Sequence, residues 1–146
     1  MTPTVRLATT ADAEPCGRLE EEARTSNAGG RGATAFFAEN PTAFHPANDG
    51  GATVVAEVDS VIVGFATLHF TQVDSERVAR IVRIFVTPPA RRVGVGDALI
   101  TAAKSAAREQ RCTRIDALSL PGDRETKNLF ERNGLTARLI VAASAL

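Results

Sequence analysis

The stretch from Ile84 to Leu99 constrains the fold more than any other part of this chain. It reads Ile-Phe-Val-Thr-Pro-Pro-Ala-Arg-Arg-Val-Gly-Val-Gly-Asp-Ala-Leu: an apolar β-rich run, a double proline, then a glycine-bearing loop that opens a helical pattern. Pro88 and Pro89 cannot extend a strand ladder. After Gly96, the residues Leu99, Ala103 and Ala106 recur at helical spacing, with Ile100 and Ala107 beside them. A strand feeding directly into a helix belongs to an α/β sheet. Its junction leaves several backbone N–H groups unpaired and aimed at one place. The helix dipole adds about half a positive charge there, which makes an anion site. Gly94 and Gly96 keep side chains from standing between an anion and the backbone, while Arg91 and Arg92 bring charge to the rim.

The rest of the chain supplies the other layers of such a sheet. Val5 to Ala8 predicts a first strand, followed by a helix capped by Thr10 or Asp12 with Pro15 in its first turn. Cys16, Leu19 and Ala23 fall on the inward face of that helix, and Glu20, Glu21 and Glu22 mostly face water. From Thr25 to Gly51 the chain is rich in Gly, Asn and Pro, broken by a short helical piece from Ala33 to Glu39. A loop this long is either a substrate-side wall or an irregular connector. Thr53 to Val58 and Val61 to Phe70 read as a hairpin around Asp59-Ser60, and Val78 to Val86 as a further strand. Arg114 to Leu120 reads as another strand. Asp123 caps a short helix from Arg124 to Asn133, Gly134 stops it, and Leu135 packs back. Leu139 to Ala143 reads as a last strand. The order predicts a mixed α/β sheet flanked by helices, with residues 1–146 as one domain.

Composition removes several classes of function. The chain has 17 basic and 17 acidic residues and a formal net charge of zero, which argues against a general nucleic-acid binder. No apolar run approaches the roughly 20 residues needed to cross a bilayer. The opening residues Met1 to Arg6 carry no signal-like apolar stretch, so the expected location is the cytoplasm, away from membranes. Cys16 and Cys112 match no metal-site or redox spacing, and the expectation is free thiols and no metal.

The nucleotide-binding loops that share this geometry do not fit. A phosphate-binding loop of the Walker type needs Lys-Ser/Thr after its glycines, and none follows. Counted from Gly94, the third glycine of a dinucleotide fingerprint would fall on Leu99. What remains is Arg91-x-x-Gly94-x-Gly96. This resembles the coenzyme A pyrophosphate loop, Arg/Gln-x-x-Gly-x-Gly/Ala, of the GNAT superfamily of N-acetyltransferases. Two further motifs of the family are met. Its Val-x-Pro is matched by Val86-Thr87-Pro88, and its Tyr/Phe-Glu-x-x-Gly-Phe/Leu by Phe130-Glu131-Arg132-Asn133-Gly134-Leu135. The opening Val5 to Asp12 also looks like the family's first strand and the start of its first helix, so the resemblance spans essentially the whole chain.

The resemblance implies a GNAT fold whose sheet splays beside the strand carrying Val86. The pantetheine arm of acetyl-CoA would pair with the backbone at Phe85 and Val86. The amides of Arg92, Val93, Gly94, Val95, Gly96 and Asp97 would hold the diphosphate, with Arg91, Asp123 and Phe130 also against the cofactor. Ser119 stands where the family often places a polar residue. Direct transfer of an acetyl group to a primary amine of a small molecule or a peptide would follow, in a protein that the family's habit makes a homodimer. The acceptor amine must be neutral to attack, so a base or a water chain removes a proton. The family's usual acid is the tyrosine of the last-helix motif; this chain contains no tyrosine, and Phe130 holds the position. His69 and Glu57 are the candidate bases, with His45 behind them, and Asn128 and Arg132 read as surface residues near the cofactor rim. The missing tyrosine keeps a second reading open, an acyl-CoA-binding sensor with little or no turnover. A third is an interaction protein without cofactor.

Overall fold

The computed structural model describes residues 2–41 and 43–146; Met1 and Thr42 lie outside the described residues. Five strands form one sheet in chain order: β1 (Thr4–Leu7), β2 (Gly51–Val58), β3 (Val61–Val73), β4 (Glu76–Val86) and β5 (Arg114–Ala117). The first four are antiparallel neighbours, and β5 runs parallel to β4. Helices α1 (Ala13–Asn27) and α2 (Ala33–Glu39) cover one face, and α3 (Val95–Glu109) and α4 (Arg124–Arg132) the other. This is a mixed sheet flanked by helices, as the order of elements predicts, and it is mostly antiparallel, as the GNAT resemblance implies.

Local chemistry sets the elements. Asp59 and Ser60 both have positive φ, 51° and 65°, the twist a two-residue hairpin needs between β2 and β3. On α3 the buried residues are Val95, Leu99, Ile100, Ala103 and Ala107, a stripe of helical period laid on β2 and β3. Leu99 and Ile100 are fully buried, each stabilising by about 1.5–3 kcal/mol relative to exposure. On the opposite face Cys16, Leu19 and Ala23 pack on Val55, Phe65 and Phe85. Burial there pushes the Cys16 thiol up to about 11, so it is an inert core group. The loop after α2 is tied down by two buried threonines: Thr67 donates to the carbonyl of Ala43, and Thr53 accepts from the N–H of His45.

Three sequence expectations change. β5 is four residues long and stops at Ala117, three short of the strand read from Arg114 to Leu120. Residues 139–143 form no strand; Leu139, Ile140 and Val141 are 71%, 91% and 82% exposed. A β-rich composition makes a strand only where a neighbour accepts its hydrogen bonds. Glu20 does not face water. It is buried at the bottom of α1, where both its oxygens accept from Nε of Arg83, at 2.8 and 3.1 Å, and Arg24 also donates to it at 3.0 Å.

Arg83 is itself buried on β4, so removing its carboxylate would leave a guanidinium unpaired in the interior. Glu20→Ala is expected to cost about 3–5 kcal/mol in urea unfolding, while Glu21→Ala, exposed one residue on, stays within about 0.5 kcal/mol. A second expectation concerns Asp12, whose carboxyl hydrogen bonds from Arg6 and from the N–H of Thr9 hold at about 2 against an ordinary 3.8. A depressed carboxylate stabilises fully above its ordinary value and loses that contribution as pH falls through the folded one. Stability should therefore decline between pH 3.8 and about 2, and Asp12→Asn should flatten that part of the profile in denaturant titrations.

Candidate active site

Between β4 and α3 the chain makes one 3-10 turn, Pro88–Ala90, and then the glycine loop. Arg92 and Gly94 both take left-handed conformations, with φ of 67° and 85°. Alternating backbone of this kind turns successive N–H groups inward as an anion-binding nest. The first backbone bond of the helix is Ala98 N–H to the carbonyl of Gly94 at 3.0 Å, and Gly94 caps without any side-chain bond. Among the described residues, nothing accepts from the N–H groups of Arg92 to Gly96. The N–H of Asp97 leans on its own carboxylate. That carboxylate is turned aside by Arg132, at 3.0 and 3.4 Å, and by Asn133 at 2.8 Å, which together lower its pKa.

The two glycines do different jobs. A Cβ on Gly94 would meet nothing within 4 Å, so its value lies in the left-handed turn and in the open space above the backbone. A Cβ on Gly96 would come within 3.0–3.1 Å of the Leu129 methyls. What Gly96 makes room for is therefore α4, not a ligand.

Beside the loop lies an unpaired strand edge. β5 pairs with β4 only from Val78 to Ile81, and the ladder ends with Leu118 N–H on the carbonyl of Ile81 at 3.1 Å. At the same level the β3–β4 register slips, so that Leu68 faces Ile81 and Thr67 faces Arg83, with Val82 as the extra residue. A bulge of this sort bends a strand and increases its twist. Past it, Val82 to Val86 has β3 on one side and no strand on the other. Arg91 lies along that free edge. Its Nε donates to the carbonyl of Val86 at 2.8 Å, Nη1 reaches Glu125 at 3.1 Å, and the guanidinium sits 5.4 Å from the centre of the Phe85 ring. Arg91 is thus folded onto the edge, and Arg92 alone stands out at the rim.

The gap between the diverging strands contains a cavity of about 30 Å³, enough for one water. Arg83 and Ile84 wall it on the β4 side, Leu118, Ser119 and Leu120 on the other, and Phe36 and Phe37 of α2 lie across it. The Arg83 guanidinium is 5.2 and 4.7 Å from those two ring centres and donates to the carbonyl of Asn40 at 2.6 Å. Asp123 lines the same cavity while accepting from the N–H and hydroxyl of Thr126, so it is a helix cap and a cleft residue at once. Ser119 makes no hydrogen bond to any described residue.

The candidate bases lie elsewhere. Glu57 is on β2, two strands from β4, and is held by Arg6 at 2.6 Å. It borders a larger cavity of about 620 Å³ beside α1, where Arg6 is already paired with both Asp12 and Glu57. His69 is on β3 opposite Arg80, at the level where β4 still has both neighbours. Its buried Nε2 has no partner among the described residues, and burial first, then His45, lowers its pKa. His45 stacks edge-on against it at 5.6 Å and donates from Nδ1 to the carbonyl of Pro46. Phe130 is buried in the α3–α4 core with Ile100, Ala103 and Leu129, while Asn128 and Arg132 are exposed.

The buried pair Glu20–Arg83 and the rings of Phe36 and Phe37 were not singled out from the sequence. A signal existed: Arg83 interrupts the apolar run Ile81 to Val86, and Glu20 falls four residues after Cys16 and three before Ala23, on the inward face of the helix.

Gly94→Glu places a carboxylate over the open N–H groups and demands a left-handed glutamate. Coenzyme A binding is expected to weaken by about 1.5–3 kcal/mol, one to two decades in Kd by calorimetry, with the far-ultraviolet circular dichroism unchanged.

The comparison with curated proteins gave no match. Among solved structures, the ribosomal-protein-alanine N-acetyltransferase of Brucella melitensis superposes with a TM-score of 0.76 at 16% identity, covering 99% of each chain. The aminoglycoside N-acetyltransferase AAC(6')-Iy in complex with a coenzyme A bisubstrate analogue superposes at 0.73, with 21% identity and all of both chains covered. An acetyltransferase of Trypanosoma brucei gives 0.68 at 20% identity, over 99% of this chain and 100% of that one. These likenesses share the fold. The model of the acetyltransferase (GNAT) family matches residues 17–135, which takes in the glycine loop, the free edge of β4 and the last helix, and the chain belongs to that family.

Proposed function

We propose that this protein is an acyl-CoA-dependent N-acyltransferase that moves an acetyl group from acetyl-CoA to a primary amine of a small molecule or a peptide, by direct transfer. One observation carries the reading: the unpartnered N–H groups of Arg92 to Gly96 open beside an unpaired β4 edge, Val82 to Val86. A diphosphate needs the first and an amide-bearing arm needs the second. Bound there, acetyl-CoA supplies an activated thioester. Arg91 would exchange its bond to Val86 for the diphosphate, freeing the carbonyl for the arm. The 30 Å³ cavity would widen between Ile84 and Leu118 as the arm enters.

The chain's own residues then have two proton tasks. The acceptor ammonium loses a proton before attack, and the sulfur leaving as a thiolate gains one or a hydrogen bond. A thiol of pKa about 8.5 leaves readily, so acid help amounts to about 10²–10⁴-fold. Phe130 gives no proton. Ser119 is the hydroxyl at the cleft free to donate to the sulfur. His69 and Glu57 do not line the cleft, which leaves the amine's proton to water there. The acceptor amines named for the solved relatives, a ribosomal-protein alanine and an aminoglycoside derivative, illustrate the class without choosing within it.

The second reading, an acyl-CoA sensor, is favoured by the absence of tyrosine and the burial of Phe130. Purified protein mixed with acetyl-CoA and a panel of amines should release thiol above background with at least one acceptor. Tight coenzyme A binding without thiol release across the panel would select the sensor. A melting temperature unmoved by coenzyme A would defeat both, because a ligand of the native state must stabilise it.

A further inference from the structure

In the transfer proposed for this protein, the pantetheine arm enters at Val86 and runs toward Val82. Its reacting end then lies at the apex of the cleft, where β4 and β5 rejoin and the N–H of Leu118 meets the carbonyl of Ile81. One face of this apex is sealed. Ile81 packs there with Leu129 and Phe130, and Ala117 lies against them. The opposite face is different. Thr67 and His69 project from the same face of β3, so their partners Arg83 and Arg80 share it, and so does Asp116, which faces Arg80 from β5. Phe36 and Phe37 lie over Arg83, whereas Arg80 is 48% exposed. An acceptor reaching the apex therefore passes over Arg80 and Asp116.

Three guanidiniums converge on the single carboxylate of Asp116: Arg138 at 2.8 Å, Arg114 at 3.2 Å and Arg80 at 3.8 Å. Arg114 has a second partner in Glu76, at 3.2 Å. Arg80 and Arg138 meet no other carboxylate among the described residues, and the Arg80 contact is longer than a hydrogen bond. The cluster thus sets three positive charges against two negative ones, and the surplus stands on Arg80 and Arg138, which are 48% and 55% exposed. Resting on the acyl-transfer reading, we infer that the acceptor carries a carboxylate, held by Arg80 and Arg138 while its amine meets the thioester at the apex. A guanidinium is shaped to take a carboxylate through paired N–H groups. A cationic acceptor finds the reverse of what it needs. Asp116 is only 11% exposed and already saturated, so the charge met first is positive. An acidic peptide and a small amino acid share this chemistry.

The test uses the full chain, acetyl-CoA and three peptides that begin with a free alanine amine and differ only in the next two residues: glutamates, glutamines or lysines. Thiol release should give a kcat/KM about tenfold higher for the glutamate peptide than for the glutamine one, carried by KM. The lysine peptide should be the poorest. Arg80→Gln combined with Arg138→Gln should bring the glutamate-to-glutamine ratio to about one. Arg108→Gln, an exposed position on α3, should leave the ratio as it was, both proteins keeping their cooperative melting transition. β-Alanine against its amide, run alongside, separates a small acceptor from a peptide, the source being the pair with the larger ratio. A ratio near one for both pairs in the unaltered chain, a preference for lysine, or a ratio untouched by the double substitution overturns the inference. If no acceptor releases thiol, the transfer reading fails separately, and calorimetry on the coenzyme A-loaded protein decides the carboxylate site. There the glutamate peptide must bind about tenfold tighter than the glutamine one, and equal affinities overturn it.

Discussion

Strand β4 has two neighbours as far as Ile81 and one beyond it, and the remainder of the molecule is arranged around that loss. A buried strand that gives up half its hydrogen bonds must be compensated, since unpaired backbone groups are costly away from water. Part of the compensation is local: Arg91 covers the carbonyl of Val86, and the bulge at Val82 turns the strand as its partner departs. The rest of the edge, from Val82 to Val86, is left open. The same divergence sets the mouth of α3 beside the bare edge, because the strand ends at Val86 and the helix starts nine residues later at Val95. The open N–H groups of the loop and the unpaired edge of the strand thereby become one continuous groove.

The other face of the gap is closed by charge inside an apolar layer. Arg83 is satisfied on every side, by Glu20, by the carbonyls of Val82 and Asn40, and by two aromatic faces. Such a pair does not stabilise more than well-packed hydrocarbon would, but it cannot be broken cheaply from one side. It ties α1 and the end of α2 to the bulged strand, fixing the wall opposite the β5–α4 connection. The wall of the cleft formed by α1 and α2 is therefore stiff, and the side bearing Ser119, in a connection without regular structure, is where the cleft has freedom to change width.

Much of this was legible in the residues. The junction from Val86 through Pro88 to Gly94 declares its geometry through residue types that tolerate few alternatives, and the short helix from Ala33 to Glu39 stands where its spacing puts it. Gly134 ends α4 in a left-handed turn, with Leu135 returning to the core. The misreadings share a cause: they depend on partners distant in sequence. Glu20 looks solvated beside Glu21 and Glu22 until Arg83, 63 residues on, claims it. Gly96 looks like room for a ligand until Leu129 fills the space. Residues 139–143 have the composition of a strand, and composition does not supply a neighbour. The bases proposed from residue type alone, His69 and Glu57, fall on strands whose backbone is fully engaged, away from the open edge.

The bracket between Asp97 and the pair Arg132 and Asn133 has a mechanical consequence. It joins the first turn of α3 to the last turn of α4, a few ångströms from where Leu129 is seated over Gly96. Two fixings hold the last turn of α4 beside the glycine loop, whereas its first turn is tied to that loop by the surface pair Arg91–Glu125. A wedge driven in beside Leu118 would load that surface pair at the first turn, while the two fixings hold the last turn in place. The two ends of one helix are thereby unequal in stiffness although both border the same groove.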